Sequence, residues 1–207
     1  MNNLSEEAVI YSHPRSGLHM LCLGLYIIAG HDDSLPYNEI WGSPVLPAYN
    51  HWFEMPIDEA SKRFKKHILL LRDYYSLACS KKPPTRPGSA YVQGRFGIEP
   101  YGYAEQIRKF DSLKNPKMVV YYEDLLNDNQ TYLDVADFLE IEYDQENLDF
   151  DYIRTQSKKL YLSSGHISAP KNNKKRNRKQ VYELIKADLK SEFLFDKYLG
   201  QYKQKDD

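Results

Sequence analysis

The residues best suited to chemistry lie in three short stretches. The first is "YSHPRSGLHML" at 11–21, where Arg15, Ser16 and Gly17 separate one apolar run from a longer one. A guanidinium is always charged and presents a fork of donors. A serine adds a hydroxyl, and glycine lets the backbone approach a bound group closely. If a helix starts there, its first N–H groups have no intrahelical partner and its dipole favours negative charge. The stretch therefore reads as an anion cradle; the plain alternative is a strand-to-helix turn with a capping serine. The second stretch is "LLLRDYYSLACS" at 69–80, with Arg72 closing an apolar run and Ser80 eight residues on. An arginine at a strand end also serves simply as a salt-bridge partner. The third is "YYEDLL" at 121–126, whose acidic pair suits the first turn of a helix.

Elements of two kinds must position these residues. "AVIYS" (8–12), "HILLLR" (67–72) and the start of "KMVVYYEDLL" (117–126) are short apolar runs that read as strands. Helices are expected from Ser16 to Ala29, ended by Gly30, over 73–81, around Tyr103, Ile107 and Phe110, and with Leu133, Ala136 and Leu139 on one face. A last helix would turn Val181, Leu184, Ile185, Leu189 and Phe193 inward. Strands alternating with helices imply an α/β fold: a mainly parallel central sheet with helices on both faces. Residues 31–57 and 83–104 are rich in Pro, Gly and aromatics and read as long loops of the kind that bind or cover ligands.

The chain has 207 residues, enough for one domain over 1–207. Its formal charge of -1 supplies no global attraction to nucleic acid or membrane, so any basic function is local. The longest apolar run, "MLCLGLYIIAG", is too short to span a bilayer, and an intracellular, cytoplasmic protein is expected. Cys22 and Cys79 both fall in apolar helical stretches and read as buried free thiols.

Taken in order, the three motifs resemble the sulfotransferase family, which moves a sulfuryl group from 3′-phosphoadenosine-5′-phosphosulfate (PAPS) to a hydroxyl. "SHPRSGLHML" looks like the family's 5′-phosphosulfate loop, "ILLLRDYYSLACS" like its 3′-phosphate motif, and "VVYYEDLL" like the strand that follows. The resemblance covers roughly residues 8–140 and implies a P-loop-like three-layer architecture. It implies that Arg15, Ser16, Gly17, Leu18 and His19 hold the phosphosulfate, Arg72 and Ser80 the 3′-phosphate, and that Tyr122 lies on the adenine side. The loop lacks the Gly-Lys-Ser/Thr of a nucleotide triphosphatase. Sulfuryl transfer needs no metal between β- and γ-phosphates, so that lack and the expected absence of a metal agree. The chain departs from the family in carrying Leu18 and His19 where a Thr follows the Gly, and Met20 where cytosolic members place a Trp.

The same resemblance singles out His51 in "AYNHWFEMP", 21 residues before Arg72, as the catalytic base. An imidazole titrates near neutrality and suits that task. Tyr49 stands where the family has a Lys, and Glu54 is the reserve base. Arg15 would meet the charge on the departing phosphate. His13 and His19 would shape the loop or touch phosphate, His67 would be structural, and His166 has no assigned role. In "KNNKKRNRK" (171–179) six of nine residues are Lys or Arg. The family closes a basic loop over the 3′-phosphate, which makes 165–180 the closing loop, with Lys174, Lys175 and Arg176 as candidates.

The acceptor, a small alcohol, phenol or saccharide in preference to a protein tyrosine, would lie among the aromatic loops, where Trp41, Tyr49, Trp52 and Tyr91 stack on a ring. Two competing readings are a P-loop-like nucleotide kinase and a non-catalytic module that binds a nucleotide or an anionic glycan. The acceptor's identity and the oligomeric state have no signature in the sequence.

Overall fold

A computed structural model of the chain describes residues 3–12, 16–31, 37–51, 55–72, 109–145 and 148–163. In chain order these form α1 (Leu4–Glu7), β1 (Ala8–Ser12), α2 (Leu18–Ile28), α3 (Tyr37–Trp41), β2 (Ala48–His51), α4 (Ile57–Arg63) and β3 (Lys66–Leu71). They continue with β4 (Lys117–Tyr121), α5 (Tyr122–Asn127), α6 (Gln130–Leu139) and α7 (Phe150–Ser163). Residues 109–112 are also helical. The described strands form one sheet in the order β2-β1-β3-β4, and every pairing is parallel.

The two central strands are buried on both faces, as strands of a parallel sheet are when helices cover it. All of β1 and all but the first residue of β3 are buried. Ala8, Ile10, Ile68 and Leu70 pack in one cluster with Leu21, Leu25 and Ile28 of α2, Val135, Ala136 and Leu139 of α6, and Ile153 of α7. On the other face Tyr11 meets Phe110 edge-on, with ring centroids 5.9 Å apart. Lys117 donates from Nζ to the carbonyls of Phe110 (3.3 Å), Leu113 (2.8 Å) and Asp111. A cation is thereby placed at the carboxyl end of the helical stretch at 109–112, where the dipole favours it. Helix α2 ends as its sequence suggests. Gly30 has φ of 77°, the Gly30 N–H donates to Ile27 O and the His31 N–H to Tyr26 O, which is a Schellman cap.

Two expectations change. Residues 31–57 are not simply loop, because α3 and the edge strand β2 lie within them. Strand β2 is only four residues, "AYNH", too short and polar to stand out as an apolar run. The cap of α2 is Gly17 rather than Ser16: Gly17 is left-handed at φ 95°, and Ser16 is fully buried just ahead of it. The loop at 83–104, the helices expected at 73–81 and 181–193, and Cys79 lie outside the described residues. Cys22 is a buried free thiol whose pKa burial pushes up to about 12.

His67 is fully buried and structural, as its place at the head of a strand suggests. Its Nε2–H donates to Phe64 O at 3.1 Å, which leaves Nδ1 to accept from the Tyr11 hydroxyl at 2.8 Å. Burial lowers its pKa, so the folded protein holds it neutral to a lower pH than the unfolded chain does. The unfolded chain then binds the extra proton, and stability falls as pH drops below the ordinary histidine value of about 6.5, by at most about 1.4 kcal/mol per pH unit. Urea unfolding at pH 7.5 and 5.5 checks this. His67→Gln is expected to lose less stability between the two than the parent; an unchanged pH profile would contradict it.

Candidate functional site

In a parallel sheet, the crevice beyond the carboxyl ends of the strands opens where neighbouring connections leave in opposite directions. Here β1 lies between β2 and β3, so that point falls at the carboxyl end of β1. Ser12, His51 and Leu70 share one register level across β2, β1 and β3, and Leu71 pairs with Tyr121 one step further on. The start of α2, Arg72, Tyr122 and the His51 backbone therefore all stand at the same edge of the sheet. Sequence reasoning named each of them, and the topology brings them together.

The start of α2 is built around Gly17. The Leu21 N–H donates to Gly17 O at 3.0 Å, the first i→i−4 bond of the helix, so residues 18–20 form its first turn. Gly17 has no side chain with which to cap it. A Cβ at Gly17 would fall 2.2 Å from Tyr122 Cδ2. Gly17→Ala thus combines a left-handed φ with an impossible contact against a ring. It is expected to destabilise the fold by about 2–5 kcal/mol, from roughly 1–2 of backbone strain and 1–3 of overpacking. Thermal and urea unfolding read this, and a loss below 0.5 kcal/mol (roughly the scale of a neutral surface change) would contradict the packing described.

Arg72 follows the last residue of β3, and Tyr122 follows the last residue of β4. Because Leu71 and Tyr121 are register partners, the two next residues are neighbours. The Arg72 guanidinium carbon lies 4.4 Å from the centroid of the Tyr122 ring. That is a cation–π contact on a partly buried arginine. Glu123 and Asp124 fall in the first turn of α5, the place where acidic side chains complement a helix dipole.

The remaining candidates divide. Leu18 is buried in the core, so it offers the edge only its backbone N–H. His19 stacks on Trp41 at 4.5 Å between ring centroids, and Trp41 is tilted against Tyr49 at 5.1 Å. These three rings join the first turn of α2 to β2, and Tyr49 is 47% exposed. Arg15, His13, Trp52, Glu54, Ser80, Tyr91, His166, Lys174, Lys175, Arg176 and the loop 165–180 lie outside the described residues, as does the His51 side chain.

One supporting residue escaped the sequence reading. Asn50 is buried; its Nδ2 donates to Met55 O at 2.6 Å, and its Oδ1 accepts from Met55 N at 3.0 Å. The reciprocal pair clamps both ends of the span that carries His51 and Glu54. An asparagine buried at the end of an edge strand was the available signal, since buried amides are there to be hydrogen-bonded.

The fold and this edge define a class: a mixed α/β protein with a parallel sheet. No family model matches the chain, and none of the curated proteins compared with it does. Among the described residues, no group of three or more His, Cys, Asp or Glu could hold a metal ion, and no helix is long and apolar enough to cross a membrane.

Proposed function

We propose that the protein is a PAPS-dependent sulfotransferase of P-loop-like architecture that moves a sulfuryl group to the hydroxyl of a small molecule or saccharide. The observation that carries this reading is the shared position of the α2 start and Arg72 at the carboxyl edge of adjacent parallel strands, joined by the Tyr122 ring. Two cationic elements on either side of the β1/β3 crevice suit a ligand with anionic groups at both ends. Adenosine carrying a 5′-phosphosulfate and a 3′-phosphate is such a ligand. Gly17 itself brings no capping side chain to the helix start, and a helix N-terminus favours an anion through its first-turn N–H groups and dipole.

In this reading Ser16, Gly17, and the backbone of Leu18 and His19 hold the 5′ end with Arg15, while Arg72 and Ser80 hold the 3′-phosphate. Lys174, Lys175 and Arg176 close over it. The acceptor oxygen forms a bond to sulfur as the bond from sulfur to the 5′-phosphate oxygen breaks. His51 takes the hydroxyl proton, and adenosine 3′,5′-bisphosphate leaves with its new charge met by Arg15 and the helix start. The aromatic side chains of Trp41 and Tyr49 flank the edge on the β2 side, where the acceptor would enter.

Thermal unfolding with added nucleotide tests the reading. Adenosine 3′,5′-bisphosphate is expected to raise the midpoint without magnesium, and more than ATP does. A shift with magnesium-ATP alone, with ATP consumed, would replace the reading by a nucleotide kinase. Tight bisphosphate binding with no transfer to any hydroxyl acceptor would replace it by a non-catalytic binding module.

A further inference from the structure

We infer that Tyr122 is a positioning residue: one ring holds the Arg72 guanidinium and at the same time fills the space beside Gly17, so that a single side chain sets the separation between the two anion-holding elements. The inference deepens the proposed function and rests on it for the ligand, though not for the geometry. Three observations carry it. The pairing of Leu71 with Tyr121 delivers Arg72 and Tyr122 side by side at the end of the sheet. The Arg72 guanidinium carbon lies 4.4 Å from the ring centroid. Tyr122 Cδ2, Cε2 and Cγ lie 2.2, 3.0 and 3.2 Å from where a Gly17 Cβ would be, so the same ring abuts the cap of α2.

The chemistry of the contact favours holding over direct binding. A guanidinium stacks through its flat face, while its N–H donors lie in the plane of the fork and point outward. An arginine fixed by its face keeps the orientation of its in-plane donors. A long side chain ordered before the ligand arrives loses less freedom on binding, and affinity rises accordingly. Tyr122 is the first residue of α5, and its helical backbone restricts the rotamers open to the ring. The resemblance alone put this tyrosine on the adenine side; the geometry makes it act on the nucleotide through Arg72.

A double-mutant cycle separates the two roles. Calorimetry would measure adenosine 3′,5′-bisphosphate binding to the parent, Tyr122→Leu, Tyr122→Phe, Arg72→Ala, and Tyr122→Leu with Arg72→Ala. Tyr122→Leu is expected to weaken binding by about 3- to 30-fold, the range of a partly desolvated cation–π contact. The ring-conserving Tyr122→Phe is expected to recover the affinity that Tyr122→Leu loses. In the Arg72→Ala background Tyr122→Leu is expected to cost nothing further. An equal loss in both backgrounds would overturn the inference in favour of direct contact with the nucleotide, and a Phe variant as weak as the Leu variant would also overturn it.

A second readout needs no ligand. The Arg72 side-chain protons are expected to carry an upfield ring-current shift in the parent and in Tyr122→Phe. Ordinary shifts for them in the parent protein would overturn the inference, whether or not Tyr122→Leu folds. If the parent binds no bisphosphate, the nucleotide reading fails, and the ring-current shift alone decides the role of Tyr122.

Discussion

Under the proposed function, replacing His51 with Ala is expected to lower sulfuryl transfer by about 10²- to 10⁴-fold, the usual contribution of a positioned general base. Nucleotide affinity is expected to hold, because the residue is assigned to the acceptor's proton and not to a phosphate. The His51 backbone ends β2 opposite Ser12, the last residue of β1. Beyond it the chain is tied by the Asn50 clamp on Met55. A base must come within hydrogen-bond reach of the proton it removes. Single-turnover transfer from labelled PAPS, with bisphosphate binding measured alongside, is the check. Retained turnover would move the base to Glu54, at the other end of the same clamped span. Lost affinity with lost turnover would mean that the substitution disturbs the crevice itself.

The second large effect concerns Arg72. Arg72→Ala is expected to weaken adenosine 3′,5′-bisphosphate by about 10- to 150-fold, which corresponds to one charge-assisted hydrogen-bonded contact. Adenosine 5′-monophosphate, which lacks the 3′ group, is expected to lose little. That contrast isolates the 3′-phosphate from general electrostatics, since a diffuse field would weaken both nucleotides alike. Arg72→Lys keeps the charge but loses the planar fork and its stacking on Tyr122, so an intermediate affinity is expected. Equal losses for the two nucleotides would remove Arg72 from the 3′ end. The fold should tolerate the change, because Arg72 lies just beyond β3 and is only partly buried.

Much of the scaffold behind these residues can be read from the chain alone. Strands β1 and β3 are continuous apolar runs, since both of their faces are covered. Helix α6 shows its inner face plainly through Leu133, Ala136 and Leu139, all buried. Two elements gave weaker signals. Strand β2 carries Tyr49 and His51 among its four residues, and an edge strand needs fewer apolar positions than a central one. Helix α7, "FDYIRTQSKKLYLS", is largely polar, and its buried Ile153 is too isolated to announce a helical face.

The site divides in a similar way. Arg72, Tyr122 and Gly17 each belong to a short motif and were found singly. Their contact was not legible, because it depends on the register between β3 and β4 and on a left-handed turn some hundred residues earlier in the chain. The sequence points to Ser16 as the cap, because serine so often plays that part. The left-handed turn assigns the cap to Gly17 instead, because a side chain there would strike the tyrosine ring.

The most direct measurement is the structure of the protein with adenosine 3′,5′-bisphosphate bound. The expected result is one nucleotide across the carboxyl ends of β1 and β3, with its 5′-phosphate on the start of α2 and its 3′-phosphate on Arg72. A nucleotide bound elsewhere, or one whose phosphates touch neither the α2 start nor Arg72, would contradict the assignment.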